Sequence, residues 1–202
     1  MANNIIVLDV TLRDGGCVND FNFGQVYMER ILNAQEESGV DMIEIGYLDE
    51  NKGSLQGRTQ WKTSEAIYET LMKSKKPDIT YVAIMDYGKF NVDNLPTRSD
   101  KTVDGIRVAF HKKNMRDIPA VGRKIMDKGY SFYIQPMITM RYSDREILDL
   151  IDMVNAELSD ASAFYIVDSF GEMRPNDLSR MLNIVDNNLI EGMTVGCLLY
   201  TS

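Results

Sequence analysis

Ile5-Ile6-Val7-Leu8-Asp9-Val10-Thr11-Leu12-Arg13-Asp14-Gly15-Gly16 joins a continuous apolar run to a turn carrying a guanidinium, a carboxylate and two glycines. An unbroken Ile/Val/Leu run reads as a strand covered on both faces, as in a parallel sheet, rather than as a half-exposed antiparallel strand. Such runs return at Met42–Ile45, Tyr81–Met85, Ile106–Phe110, Phe132–Ile134 and Phe164–Val167, and Met193–Gly196 begins another. Helical periods fill the gaps between them. Ser143-x-x-Glu146 is a capping box, followed by Ile147, Leu148, Ile151, Val154 and Leu158 as one apolar stripe. Pro175 opens the last helix, where a missing N–H costs nothing, and Leu178, Met181, Leu182, Val185 and Leu189 follow at helical spacing. Gly39 and Gly129 stand where helices end before strands. The third unit is weak in helix, because Asn91–Asp100 contains Pro96.

Repeated βα units without a linker leave a doubly wound sheet or a (β/α)8 barrel. Gly15-Gly16 lacks the G-x-G-x-x-G spacing of a dinucleotide-binding turn. A barrel takes ~250 residues, and six units with the start of strand 7 use nearly all of the 202 residues. The expected fold is therefore α/β: a (β/α)8 TIM barrel, incomplete, over residues 1–196, with residues 197–202 read as a non-native tail. The net charge of −8 and the lack of a basic run argue against nucleic acid or an anionic membrane as partner. Met1-Ala2-Asn3-Asn4 has no signal-peptide pattern, and two distant cysteines, Cys17 and Cys197, suit a reduced cytoplasmic protein. A single histidine excludes, within this chain, a metal site that needs two imidazoles.

Polar residues cluster at or just past the carboxyl ends of the runs: Asp9, Arg13 and Asp14, then Glu44, Asp86, Arg107, His111, Gln135, Asp168 and Ser169. In a parallel barrel those ends surround one mouth, where active sites form. A carboxylate beside a guanidinium at a strand end can hold a hard divalent cation and stabilise a developing enolate oxygen. Arg107, Ala109 and His111 share one strand face. If that face looks inward, Arg107 is a carboxylate clamp and His111 touches a substrate acid; if outward, Arg107 pairs with a helix. The stretch Leu48–Lys62, which holds the only tryptophan, is long for a βα connection and reads as a lid or as a variable insertion.

Leu8-Asp9-Val10-Thr11-Leu12-Arg13-Asp14-Gly15-Gly16 resembles the strand 1 signature of the metallolyase TIM barrels. That superfamily takes in HMG-CoA lyase, homocitrate and isopropylmalate synthases and 4-hydroxy-2-oxovalerate aldolase. Gly39-Val40-Asp41-Met42-Ile43-Glu44-Ile45-Gly46 is similar to its second strand and Val167-Asp168-Ser169-Phe170-Gly171 to its sixth, with Ser169 nearest the aldolase branch. The resemblance implies a divalent-metal-dependent aldolase or lyase that makes or breaks a C–C bond beside a 2-oxo acid through a pyruvate enolate. It implies Asp14 as a ligand of Mg2+ or Mn2+, Arg13 on the enolate oxygen, Glu44 and Asp168 as catalytic pocket residues, and Ser169, with Arg13, as a substrate contact. The alternatives are a Claisen-type acyl transferase and a catalytically inert fragment. A homo-oligomer or an aldehyde dehydrogenase partner is also compatible with the aldolase branch.

Two departures accompany the likeness. Cys17 stands where the aldolase branch has its general-base histidine. The family's His-x-His on strand 7 follows a glycine, whereas Gly196 is followed by Cys197-Leu198-Leu199-Tyr200-Thr201-Ser202. The expectation is a C-terminally truncated chain that binds the ion poorly and does not turn over.

Overall fold

The computed structural model describes residues 5–52, 55–73 and 75–199, and the chain divides into two compact units. In the first unit, β1 (Leu8–Asp9), β2 (Met42–Leu48) and β4 (Thr80–Asp86) are joined in parallel, with the short β3 (Gln60–Trp61) on β2. Helix α1 (Thr11–Asp14) follows β1 at once, α2 (Gln25–Glu37) links β1 to β2, and α3 (Ser64–Ile67) follows β3. Ile43, Ile45, Leu48, Tyr81, Val82 and Ala83 are fully buried, as continuous apolar strands require. The first strand lies later than expected. Ile5, Ile6 and Val7 are 86%, 54% and 50% exposed, and only Leu8–Asp9 is strand, because this stretch pairs with β2 on one side alone. After β4 there is no helix but one short 3-10 turn at Val92–Asn94, as Pro96 foretold.

β5 (Gly105–Phe110) begins in the first unit and ends in the second. The second unit then carries α4 (Ile118–Asp127), β6 (Ser131–Pro136), α5 (Asp144–Glu157), β7 (Ala163–Val167), α6 (Pro175–Asn188) and β8 (Thr194–Leu198). β6, β7 and β8 are parallel neighbours, with Tyr133 opposite Ala163 and Tyr165 opposite Gly196. The strand expected from Met193 starts at Thr194 and runs on through Cys197 and Leu198; residues 200–202 of the expected tail lie outside the described residues. Ser143 caps α5 by the expected box, whose buried stripe is Ile147, Leu150, Ile151 and Val154, and Pro175 is the first residue of α6. The alternation of strands and helices is that of an incomplete (β/α)8 barrel.

Helix α4 lies against β6 through Gly122. A Cβ there would stand 2.5 Å from Phe132 Cε1 and 2.8 Å from Leu158 Cδ2, and both neighbours are buried. Alanine gains about 1 kcal/mol in helix propensity over glycine, but overpacking a filled core costs about 1–3 kcal/mol. Gly122→Ala is expected to lower the unfolding free energy by about 1 kcal/mol, read from the urea midpoint at unchanged slope. A raised midpoint would show that this contact is looser than described.

Candidate active site

In the first unit the turn after β1 is tight: the N–H groups of Arg13 and Asp14 both donate to Val10 O, at 3.0 and 2.7 Å. Fully buried Leu12 anchors it, and Thr59 Oγ1 donates to the Leu12 carbonyl at 2.6 Å. The Arg13 side chain is thereby laid on Glu44 of β2. Arg13 Nε donates to Glu44 Oε2 at 2.5 Å and Arg13 Nη1 to Asp14 Oδ1 at 2.6 Å. Arg107 of β5 donates from Nη1 to Glu44 Oε1 at 2.5 Å. Glu44 and Arg107 are fully buried and Arg13 nearly so, and the two cations balance the two carboxylates. Burial alone would raise the Glu44 carboxyl; the charges and hydrogen bonds of Arg107 and Arg13 outweigh it and hold Glu44 below the usual carboxylate range. Burial works against the Arg13 cation too, but Glu44 and Asp14 keep its pKa above its ordinary value. Arg13 Nη2 is buried and makes no hydrogen bond among the described residues.

Sequence reasoning missed Tyr47. Burial, and then the neighbouring Asp86 carboxylate at the end of β4, push its phenol up. The irregular register between Glu44 and Tyr47 turns the side chain there. Gly46 permits this, since a Cβ would meet Thr59 O at 2.2 Å. A glycine inside an otherwise apolar strand was the available signal. Cys17 is exposed; partial desolvation and then the charges of Asp14 and Asp86 push its thiol up, against Arg13. A thiol raised in this way is a poor general base.

The remaining sequence candidates lie in the second unit. Asp168, after β7, is buried and accepts from the N–H groups of Glu172 and Met173 at 3.0 and 3.1 Å, so its carboxylate orders its own loop. Ser169 is exposed and its Oγ accepts from the Ile138 N–H at 3.0 Å. His111 directly follows β5, is exposed, and borders a cavity with Lys112, Lys113, Arg141 and Tyr142.

A divalent ion finds little here. Asp14 is half exposed and paired with Arg13, Glu44 is taken up by two guanidiniums, and among the described residues no group of three or more His, Cys, Asp or Glu side chains could hold a metal. The described donor set does not fit a bound catalytic ion. Nor is any helix of the described residues long and apolar enough to cross a membrane.

No protein-family profile matches the chain. Its fold is similar to that of several solved structures. The N-terminal domain of a predicted aldolase from Bacteroides vulgatus superposes with TM-score 0.74 at 19% identity, over 96% of this chain and 63% of that one. An HMG-CoA lyase from A. baumannii, solved with coenzyme A and 3-methylmalate, gives 0.70 at 13% identity, over 95% and 65%. The carboxyl transferase domain of Rhizobium etli pyruvate carboxylase gives 0.66 at 12%, over 96% and 35%. The chain thus spans under two thirds of the length of each. Similarity at these identities establishes the fold.

Glutamine at position 44 would take from Arg107 the carboxylate it pairs with and leave Arg13 with Asp14. Breaking a buried pair by removing one partner costs about 3–5 kcal/mol, and Glu44→Gln is expected to lose that much in chemical unfolding. Because the folded Glu44 pKa is lowered, its contribution is complete above the unfolded value of about 4.3 and is lost as pH falls through the folded one. Wild-type stability should therefore drop below about pH 4, and Glu44→Gln should flatten that drop. An equally steep fall in the variant would place the acid sensitivity elsewhere.

Proposed function

We propose that residues 1–196 are the barrel segment of a carbon–carbon lyase of aldolase type, acting on a 2-oxo acid and resembling 4-hydroxy-2-oxovalerate aldolase. The observation that carries the reading is Arg13: a nearly buried cation at the end of β1, fixed by Glu44 and Asp14, with one donor, Nη2, unspent. Cleavage beside a keto group leaves negative charge on the former carbonyl oxygen. A preorganised guanidinium in a water-poor setting stabilises such charge far better than one that must be ordered during the reaction. Glu44 does not act as a base in this reading, since two cations hold it ionised; it positions Arg13, with Arg107 gripping its other oxygen. Within the second unit, Asp168 orders the loop that presents Ser169. The part assigned to Arg13 is independent of any metal ion.

The test assays pyruvate release from 4-hydroxy-2-oxo acids with Mn2+ present, and acetyl-CoA consumption in parallel, in the 202-residue chain and in the longest product its gene encodes, here the complete product. The short chain is expected to bind Mn2+ weakly and to show no turnover. The complete product should release pyruvate without CoA, and Arg13→Lys should lower kcat by about 10²–10³-fold. Acetyl-CoA consumption instead would select the Claisen-type transferase; neither activity in the complete product overturns the proposal.

A further inference from the structure

In the second unit the loops leaving the carboxyl ends of β5 and β6 border an open cavity of about 300 Å³, lined by His111, Lys112, Lys113 and Arg141 with Met137 and Tyr142. Charge is unevenly settled around it. Lys112 pairs with Glu146 at 2.8 Å, donates to the Arg141 carbonyl at 3.1 Å and lies 5.4 Å from the centre of the Tyr142 ring. Arg141 pairs with Glu172 at 2.8 Å. Two carboxylates therefore answer two cations, and among the described residues no ion pair reaches Lys113, which borders the cavity with His111. Tyr142 is 4% exposed and its hydroxyl has no hydrogen-bond partner, although a buried hydroxyl normally finds one. The chain is also bent at a cost. Ile138, a β-branched residue, sits at φ 57° and ψ 51°, in the left-handed region that such residues avoid, and its N–H is pinned by Ser169 Oγ. That bend carries residues 137–142 round the cavity, and strain of this kind collects where a ligand is clamped.

We propose that this cavity is a subsite for the oxyanion end of a small acid, a carboxylate or a phosphate monoester. Lys113 and His111 face the charge, and the carbon chain lies along Met137 and the Tyr142 ring. The position suits the role, since ligands of parallel α/β sheets bind outside the carboxyl ends of the strands. An acceptor oxygen brought in by the ligand would also meet the need of the Tyr142 hydroxyl. None of these residues takes part in the chemistry assigned to Arg13, so the two readings fail separately.

The chain has one histidine, and it borders the cavity, so its imidazole C2–H proton resonance reports occupancy without ambiguity of assignment. The 202-residue chain is titrated with inorganic phosphate and, separately, with pyruvate, using sodium chloride at matched ionic strength as control. A saturable downfield movement is expected with one of the two, as a bound anion favours the imidazolium. Saturation by phosphate selects the monoester and saturation by pyruvate the carboxylate. Lys113 is exposed, so Lys113→Ala removes charge without opening the core and should weaken binding at least about fivefold, with far-UV circular dichroism unchanged. A response that chloride reproduces, or that Lys113→Ala leaves intact, overturns the proposal.

Discussion

One carboxylate held between two guanidiniums governs the first unit. Glu44 has no access to water, and a buried ionised carboxylate is several kcal/mol unfavourable unless it is paired and hydrogen-bonded. Both of its oxygens are taken, one by Arg13 and one by Arg107, and the three residues come from the turn after β1, the middle of β2 and the middle of β5. The triad is thus a three-way tie between strands that are far apart in sequence. A purely structural tie could be replaced by apolar groups of similar volume at little cost. This one keeps a guanidinium donor unused at Arg13, next to a half-exposed carboxylate. That excess of donor over acceptor is what the proposed function builds on.

The strands were legible because most are covered on both faces, so that burial and apolar runs coincide. The helix starts at Ser143 and Pro175 were legible because capping is local chemistry. Where the reading slipped, the determinant was not local. Ile5, Ile6 and Val7 have the composition of a central strand and the neighbours of an edge, and the sequence does not number a strand's partners. The site divides in the same way. Arg13, Asp14 and Glu44 were visible as charges at strand ends, but the pairing of Arg107 with Glu44 depends on how strands 63 residues apart are aligned. Asp168 looked like a pocket carboxylate, and two backbone N–H groups four and five residues on claim it. Tyr47 was hidden because an irregularity in β2, not strict alternation, sets its direction.

The protonation states around the triad point to one kind of chemistry. Arg13 keeps its charge. Cys17 keeps its proton because desolvation and Asp14 oppose the thiolate, and Tyr47 keeps its own because burial and Asp86 oppose the phenolate. At neutral pH these three groups are all donors. Glu44, fully buried, is saturated by two cations, which leaves Asp14 and Asp86 to accept, and Asp14 already takes a hydrogen bond from Arg13. A site so constituted is built to receive negative charge rather than to remove a proton. It would stabilise an enolate or alkoxide once formed and return a proton to it, while abstraction of a substrate hydroxyl proton needs an acceptor from beyond this group. That asymmetry agrees with Cys17 standing where the aldolase branch has histidine. Under the proposed aldolase reading, it makes oxyanion stabilisation by Arg13, rather than base catalysis, the part assigned to these residues.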